Sequence, residues 1–329
     1  LSLSTQIAIG FNDNKPPRRS AMVAIDISKA FDSVDHTIFL DQVCNSILQS
    51  NYVRWLSVYL HGRTACCSFN GSNSRHCKVK SGFPQGSVLS PDLWNAFTSD
   101  CPPAGEVQEL YADDLSQLDL DTDIDRLGVK LTNSVGTVVD WAKTKNLVIA
   151  PAKSQVILFT PDSHQSNIHP QVKISGELVP LNKKLKTLGN FWDTHFNGGT
   201  QASEIVKSIN QRVPIMKAVS NNSWGFDMET LVLTCNTLVK PVIGNCAPIW
   251  VPNIKPAHIA KIQTVQNRML RLITGCHLAS PIDHLHSEVA VLPVGIRLDM
   301  LCKQFLISAL RPAHPSHEVV LRPPGPRKN

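Results

Sequence analysis

Three aspartates stand where apolar segments of this 329-residue chain end. Asp26 lies near the end of the apolar run over 21–27, and Asp113 and Asp114 follow a predicted strand over 108–112. A carboxylate at the end of a buried strand is costly unless it is paired or bound to a cation, and adjacent carboxylates repel each other. On neighbouring strands, the three carboxylates could hold two Mg²⁺ ions ~3.5–4 Å apart, which serves in-line phosphoryl displacement. For an Asp-Asp pair alone, a solvated turn is the commoner explanation.

A glycine-rich turn, GFPQGSVLSP over residues 82–91, lies between these carboxylates in the sequence. Its glycines allow the backbone to approach a substrate closely, and Gln85 offers a side-chain amide. Ser90 and Pro91 predict that a helix begins here, with Ser90 as the N-cap and Pro91 at the first helical position. A simple junction between a loop and a helix would not require this combination of residues.

Strands and helices must bring these segments together, and the spacing of apolar residues predicts where they lie. The Asn70-Gly71 pair tolerates the positive φ of tight turns and predicts a hairpin over 61–81. Thr122 can cap the helix with the clearest apolar stripe. The predicted strands are 21–27, 108–112, 115–118, 147–149 and 155–160, with a second hairpin about Ser175-Gly176, and the predicted helices are 35–50, 90–100, 121–146, 202–219, 227–244 and 256–274.

In order and spacing, three segments resemble the motifs of reverse transcriptases, most closely those of jockey-like non-LTR retrotransposons. DISKAFDSVDH resembles motif A, SGFPQGSVLSP motif B and LYADD motif C, while downstream NLVIAPAKSQVILF resembles motif D and LKTLGNFWD motif E. VKPVIGNCAPIWVP and KIQTVQNRMLRLITG are similar to the thumb region of these elements. The resemblance therefore covers nearly the whole chain.

The resemblance implies an α+β fold: a reverse-transcriptase palm of the right-hand polymerase type, with a small antiparallel sheet packed on helices, followed by a helical thumb. It implies a remnant of fingers or linker over 1–20, the palm over 21–195, the thumb over 196–275, and a C-terminal extension with a basic, proline-rich tail over 276–329. We expect a fragment that lacks the N-terminal fingers and endonuclease, with the 61–81 hairpin directed towards the fingers.

The resemblance also assigns catalytic roles to matching positions. Asp26 would be the metal ligand of motif A, aided by the main-chain carbonyl of Ile27, and Asp113 and Asp114 would be the carboxylates of motif C. Lys153 matches the motif D lysine that protonates the leaving pyrophosphate, although Pro-Ala-Lys-Ser stands where the family prefers Asn-Pro-x-Lys-Thr. A solvated surface lysine is the alternative for this position.

Contacts to the nucleotide and the primer are implied in the same way. Phe31 matches the aromatic gate that excludes a ribose 2′-hydroxyl, and core packing is its alternative role. The other implied positions are the nucleotide and template pocket residues Gln85, Gly86 and Ser87, and the primer-grip residues Leu188 and Gly189.

The implied function is RNA-directed DNA polymerisation, a nucleotidyl transfer to a primer 3′-hydroxyl with two Mg²⁺ ions, for which Mn²⁺ is a possible substitute. Its partners would be an RNA template, a DNA primer, deoxynucleoside triphosphates, and upstream fingers and endonuclease segments of the same polyprotein. Two alternatives stay open: a truncated or inactive element copy that only binds nucleic acid, and an RNA-dependent RNA polymerase. Phe31 argues against the latter, because RNA polymerases need room for the 2′-hydroxyl.

Charge is divided unevenly along the chain. Residues 1–150 carry 13 Lys and Arg against 16 Asp and Glu, a net charge of −3, whereas residues 151–329 carry 19 against 10, a net charge of +9. An acidic half and a basic half fit a metal site in one and contact with a polyanion in the other.

Several other classes of protein are excluded. No CxxC pair occurs among the nine cysteines, and no uncharged apolar run reaches the ~18 residues of a membrane span. The N-terminus lacks a basic signal-peptide region, so we expect reduced thiols in an intracellular protein, located in nucleus and cytoplasm as a ribonucleoprotein. The acidic residues from Asp119 to Asp125 do not form a calcium loop, because Ile124 and Lys130 stand where Gly and Glu would be needed.

Overall fold

The computed structural model of the chain describes residues 2–12, 18–45, 50–221 and 224–321. Residues 13–17 of the loop predicted over 12–20, residues 46–49 of the helix predicted over 35–50, and residues 322–329 of the basic tail lie outside the described residues. Arg19, predicted to lie in the loop, is instead the first residue of a strand.

The described residues form fourteen α-helices and two short 3₁₀ turns. No helix among them is both long enough and apolar enough to cross a membrane. The helices are α1 (Ser2–Asn12), α2 (Ala30–Ser33), α3 (His36–Cys44), α4 (Ser50–Leu60), α5 (Ser90–Thr98), α6 (Ile124–Thr144), α7 (Gly199–Val219), α8 (Met228–Leu238), α9 (Lys240–Gly244), α10 (Ala247–Trp250), α11 (Pro256–Thr274), α12 (Ile282–Glu288), α13 (Val294–Ala309) and α14 (His317–Leu321).

Twelve strands occur in the described residues, and most of them are short. The largest sheet has four strands in the order β6-β7-β1-β8, and the other strands pair two by two, as β9 with β10, β11 with β12, β2 with β5, and β3 with β4. The mixed fold with a small antiparallel sheet is as predicted. The strands are β1 (Arg19–Asp26), β2 (Thr64–Ala65), β3 (Ser68–Phe69), β4 (Ser72–Asn73), β5 (Cys77–Lys78), β6 (Val107–Tyr111), β7 (Asp114–Asp121), β8 (Gln155–Phe159), β9 (Lys173–Ile174), β10 (Glu177–Leu178), β11 (Lys184–Thr187) and β12 (Asn190–Asp193).

One compact unit comprises the described residues of 20–156 and 169–181, and it contains motifs A to C. Its helix α6 packs on β7 through an apolar stripe, of which Leu127, Leu131 and Val135 are fully buried. A second part of its core is aromatic: the ring of Phe39 meets those of Phe83 and Phe97 edge-on. These contacts join helices α3 and α5 to the turn between them, which carries motif B.

The other compact unit comprises the described residues of 1–19, 157–168 and 182–329. Seven of its helices, α7 to α13, share one hydrophobic core. The helix predicted over 227–244 is interrupted, because α8 ends at Leu238 and α9 begins at Lys240. Pro241 lies in the first turn of α9, where its missing N–H is tolerated, but it could not continue α8.

The two units do not coincide with the regions expected from the sequence. Residues 157–168 and 182–195 were expected in the palm, yet they group with the helical unit. The assignment of palm, thumb and C-terminal extension to particular residues stays a prediction.

Two predicted helix caps are wrong. Helix α5 begins at Ser90 itself, whose hydroxyl donates to the carbonyl of Pro84 at 2.6 Å instead of capping the helix. Helix α6 is capped by Asp123, whose carboxylate accepts from the N–H of Arg126 at 2.9 Å, and not by Thr122. Both errors are shifts of about one residue, the usual precision of cap assignment from sequence.

Candidate active site

Asp26 is the last residue of β1, and the segment that follows α6 fixes its backbone. Its N–H donates to the hydroxyl of Ser154 at 3.1 Å, and its carbonyl accepts from the N–H of Ala150 at 2.9 Å. Ile27 next to it forms an antiparallel bridge with Ile149. With its main chain held on both sides, Asp26 keeps a side chain that is 41% exposed to solvent.

Lys153 reaches the same carboxylate. Its Nζ lies 4.0 Å from Oδ2 of Asp26, and its side chain remains 71% exposed. An exposed ion pair of this kind stabilises a fold by only about 0–1 kcal/mol. The contact therefore contributes little to stability, but it places the lysine that resembles the motif D lysine next to the motif A aspartate. Its predicted role as a proton donor stays a prediction.

Motif C forms a tight hairpin between β6 and β7. Tyr111 pairs with Asp114, so that Ala112 and Asp113 make the two-residue turn. Ala112 has a φ of 52°, a left-handed conformation that is uncommon outside glycine. The indole N–H of Trp94 donates to the carbonyl of Ala112 at 2.7 Å, which satisfies the turn and restrains it.

The three aspartates influence one another electrostatically. Burial raises the pKa of Asp114 above its ordinary value, and the negative charges of Asp113 and Asp26 raise it further. Both carboxylates of motif C and the carboxylate of motif A therefore share one local field. Each would gain from a cation placed among them.

The oxygen atoms of these three aspartates suit a hard divalent cation better than a metal ion that is bound by protein ligands alone. Among the described residues, no group of three or more His, Cys, Asp or Glu side chains is arranged to hold a metal ion. Mg²⁺ usually binds one or two carboxylates and completes its coordination with water and substrate phosphates. The carboxylates of Asp26, Asp113 and Asp114, which interact electrostatically, offer the oxygen ligands that Mg²⁺ prefers, whereas a structural zinc would need four protein ligands.

Phe31 lies at the start of α2, after Lys29, which has a φ of 51°. The ring of Phe31 stacks on that of Trp94, with 4.8 Å between the ring centroids, and the residue is only half-buried. Core packing and contact with a substrate are therefore both available to this ring. Trp94 therefore connects two motifs: its ring stacks on Phe31 of motif A, and its indole N–H donates to the carbonyl of Ala112 in the turn of motif C.

Motif B packs directly against the motif A backbone. The N–H of Phe83 donates to the carbonyl of Phe31 at 2.8 Å, and the N–H of Gly82 donates to that of Val34 at 2.8 Å. Gly82 has a φ of 88°, and a Cβ at this position would lie 2.7 Å from the Cα of Asp32. Only glycine permits both this conformation and this close approach.

The residues predicted to line the nucleotide pocket have different surroundings. Gln85 donates from Nε2 to Oδ1 of Asp32 at 2.9 Å, so its amide is oriented by motif A. Gly86 has a φ of 80° and open space around it. The hydroxyl of Ser87 lies 2.7 Å from that of Tyr59 in α4.

The predicted primer grip, Leu188-Gly189, belongs to the helical unit, where it forms the turn between β11 and β12. Leu188 has a φ of 47° and Gly189 a φ of 81°. Within that unit, Asn245 donates to the carbonyl of Gly189 at 3.4 Å, and the thiol of Cys246 donates to that of Leu188 at 3.6 Å. The turn is therefore supported by the segment between α9 and α10.

Sequence reasoning missed three residues that position this site: Trp94, Ser154 and Tyr59. Ser154 directly follows the lysine that resembles the motif D lysine, where the family prefers threonine. Because serine and threonine share a hydroxyl group, the sequence could have indicated a hydrogen bond at this position. Trp94 and Tyr59 lie on helices, where an aromatic residue is usually assigned to the core. Their polar partners, the carbonyl of Ala112 and the hydroxyl of Ser87, become evident only in the folded chain.

The family described as reverse transcriptase (RNA-dependent DNA polymerase) matches residues 5–191, more than half of the chain. The chain belongs to the reverse transcriptase family. Its matched region includes motifs A, B, C and D and the primer-grip turn. Members of this family generally use divalent metal ions.

Known relatives of this reverse transcriptase come from mobile elements. The chain is 25% identical over 292 residues to the RNA-directed DNA polymerase from mobile element jockey of Drosophila funebris, which is 85% of this chain and 31% of that protein. It is 27% identical over 270 residues to the probable RNA-directed DNA polymerase from transposon BS of Drosophila melanogaster, which is 77% of this chain and 29% of that protein.

A third relative is the probable RNA-directed DNA polymerase from transposon X-element of Drosophila melanogaster. It is 26% identical over 284 residues, which is 82% of this chain and 30% of that protein. The resemblance to non-LTR retrotransposons is confirmed, since all three relatives come from such elements. The chain spans about a third of the length of these relatives.

Proposed function

We propose that this chain carries the polymerase centre of a non-LTR retrotransposon and catalyses RNA-directed DNA polymerisation. The observation that carries the proposal is the family match over residues 5–191, which includes Asp26, Asp113 and Asp114. The nucleotidyl transfer joins the 3′-hydroxyl of a primer to the α-phosphate of a deoxynucleoside triphosphate and releases pyrophosphate. The partners are an RNA template, a DNA primer and deoxynucleoside triphosphates.

The proposed cofactor is a pair of Mg²⁺ ions, which Mn²⁺ could replace. Asp26, Asp113 and Asp114 would hold them, with help from the main-chain carbonyl of Ile27. Bound there, the ions would favour ionisation of the primer hydroxyl and neutralise charge on the triphosphate. The raised pKa of Asp114 supports this assignment, because a carboxylate repelled by two others gains most from a nearby cation.

The other predicted residues act on the nucleotide and the primer. The half-buried ring of Phe31 would exclude a 2′-hydroxyl, and its stacking on the ring of Trp94 supports this role. The ammonium of Lys153, next to Asp26, holds the proton that the leaving pyrophosphate accepts. Gln85, Gly86 and Ser87 line the nucleotide and template pocket, and Leu188 and Gly189 contact the primer end.

The wider context follows from the relatives, which are about three times as long as this chain. We assign the fingers and endonuclease to other segments of the same polyprotein, which would act together with this chain. The assembly would be a ribonucleoprotein present in nucleus and cytoplasm.

Primer extension on an RNA template tests the proposal, with deoxynucleotides and ribonucleotides in parallel. Asp113→Asn should abolish extension while primer–template binding persists, because a neutral amide cannot replace the anionic ligand. Asp140→Asn is the matched control, since Asp140 is an exposed aspartate on α6 that pairs only with Lys143 in the described structure. Extension by Asp113→Asn at the parental rate would refute the assignment. Equal use of ribonucleotides by the parent would favour the RNA polymerase alternative.

A further inference from the structure

The acidic half of the chain contains a long segment without any acid. Residues 42–91 include no Asp or Glu, but they include five Lys and Arg: Arg54, Arg63, Arg75, Lys78 and Lys80. The net charge of −3 for residues 1–150 conceals this segment, because the acidic residues before and after it outweigh it. A polyanion could therefore be bound in the half of the chain that carries the catalytic aspartates.

Helix α4 within this segment carries a stack of two aromatic rings, of which the outer one is exposed to solvent. The rings of Trp55 and Tyr59, one helical turn apart, stack with centroids 5.3 Å apart and an angle of 9° between their planes. Trp55 is 51% exposed. The guanidinium of Arg63 continues the row, at 5.2 Å from the centre of the Tyr59 ring. Because Trp55 and Arg63 both lie against the ring of Tyr59, the outer face of Trp55 is the one on which a base can stack.

A cationic cavity adjoins this aromatic row. It is lined by Arg63 and by His36, His61, Lys78 and Lys80, and its volume is about 300 Å³. None of the described residues that line it is acidic. Its walls are joined by a hydrogen bond from the N–H of Val79 to the carbonyl of Arg63 at 2.9 Å. A cavity of this charge suits phosphate groups.

We propose that this surface, formed by Trp55, Tyr59, Arg63, Lys78 and Lys80, binds a single-stranded polynucleotide. Bases stack on the exposed ring of Trp55, and the backbone phosphates lie at Arg63 and in the cavity. Single strands fit better than duplexes, because a duplex keeps its base faces covered and cannot use the aromatic row. That the strand is the RNA template rests on the proposed polymerase function.

The surface is connected to motif B by two hydrogen bonds within the same unit. The hydroxyl of Tyr59 lies 2.7 Å from that of Ser87, and Nε2 of His36 lies 2.8 Å from the carbonyl of Gly82. A strand bound on α4 therefore lies beside the turn that is predicted to meet the template. The proposed role is to hold the unpaired template next to the nucleotide pocket.

Binding of a fluorescein-labelled oligouridylate, followed by anisotropy in EDTA without nucleotides, tests the surface. Trp55→Ala should weaken binding about tenfold, as expected for loss of one base stack, whereas Trp55→Phe should keep most of the affinity. Trp224→Ala is the matched control, because Trp224 is 66% exposed and lies in the other unit. Circular dichroism checks that each variant is folded.

The charge component is measured from the dependence of binding on salt. Replacing Arg63, Lys78 and Lys80 together by Ala should reduce the slope of log affinity against log salt by about 2, since each phosphate contact to a single strand contributes about 0.7. Lys173→Ala, at an exposed lysine on β9, should leave the slope nearly unchanged.

Three results would overturn the inference. The first is that Trp55→Ala binds the oligouridylate as tightly as the parent, and the second is that the salt slope of the triple variant is unchanged. The third is that a blunt RNA duplex binds equally tightly, because the aromatic row would then not serve to bind a single strand. The polymerase proposal is judged separately. Asp113→Asn should bind the oligouridylate normally, so loss of extension and loss of strand binding can be told apart.

Discussion

Replacing Gly82 with alanine should damage the contact between motifs A and B, and the structure gives the size of the effect. The new Cβ would lie 2.7, 2.8 and 2.9 Å from the Cα, O and C atoms of Asp32. These are backbone atoms, which cannot rotate away as the end of a side chain can. Relieving the collision should cost about 1–3 kcal/mol, the usual range for overpacking.

The conformation of Gly82 adds a second cost. A φ of 88° lies in the left-handed region, where a Cβ costs about 1–2 kcal/mol. We therefore expect Gly82→Ala to lower the free energy of unfolding by about 2–5 kcal/mol. Gly71→Ala is the matched control, because Gly71 has a φ of 78° but nothing within 4 Å of its Cβ position. It should lose only the conformational part.

Urea unfolding followed by tryptophan fluorescence measures both variants. The difference between them, about 1–3 kcal/mol, isolates the collision with Asp32. Primer extension should show a raised KM for the nucleotide in Gly82→Ala, because Asp32 also orients Gln85. If Gly82→Ala is no less stable than Gly71→Ala, the packing of motif B on motif A has been misjudged.

Three further predictions concern the gate, the catalytic turn and the carboxylates. Phe31→Ala should raise incorporation of ribonucleotides relative to deoxynucleotides by about tenfold or more, and unchanged selectivity would leave Phe31 a core residue. Trp94→Phe keeps a ring against Phe31 but leaves the carbonyl of Ala112 without its donor, so urea unfolding should show a loss of about 1–3 kcal/mol, and a variant as stable as the parent would refute that role. Because the pKa of Asp114 is raised in the folded state, that state holds its proton more tightly than the unfolded chain, and stability falls as pH rises from the ordinary value of 3.8 through the raised pKa. In EDTA, Asp114→Asn should therefore melt at a higher temperature than the parent at neutral pH and at the same temperature well below pH 3.8, and equal melting at neutral pH would contradict the proposed repulsion.

The sequence predicted where the three aspartates lie in the fold better than it predicted the elements around them. Asp26 lies at the end of β1, and Asp113 and Asp114 lie at the turn into β7, as expected, because short motifs carry that signal in the local sequence. The hydrogen bond from Asp26 to Ser154 joins residues 128 positions apart, and no local pattern reports such a contact. The same limit applies to the link between Tyr59 and Ser87.

Helix α4 shows why some elements were not predicted. Only Leu56 and Leu60 are buried along its eleven residues, so the apolar stripe that identifies an amphipathic helix is too short to recognise. Its exposed aromatic residues further obscure the pattern, because they would be assigned to the core. The net charge of residues 1–150 also concealed the segment 42–91, which has no Asp or Glu, because acidic residues before and after it outweigh its positive charge.

The turns in which non-glycine residues adopt a left-handed conformation have a consequence for how copies of a retrotransposon lose activity. Lys29, Ala112 and Leu188 adopt positive φ without being glycine, and they lie in motif A, in motif C and in the turn predicted to be the primer grip. Such conformations cost of order 1–3 kcal/mol each and persist only while surrounding contacts enforce them. A substitution that loosens those contacts, such as one near Trp94, would let the turn relax while the rest of the core stays intact. Mutational decay in such a lineage would therefore silence the polymerase before it unfolds the protein, and a folded copy would not by itself be a working one.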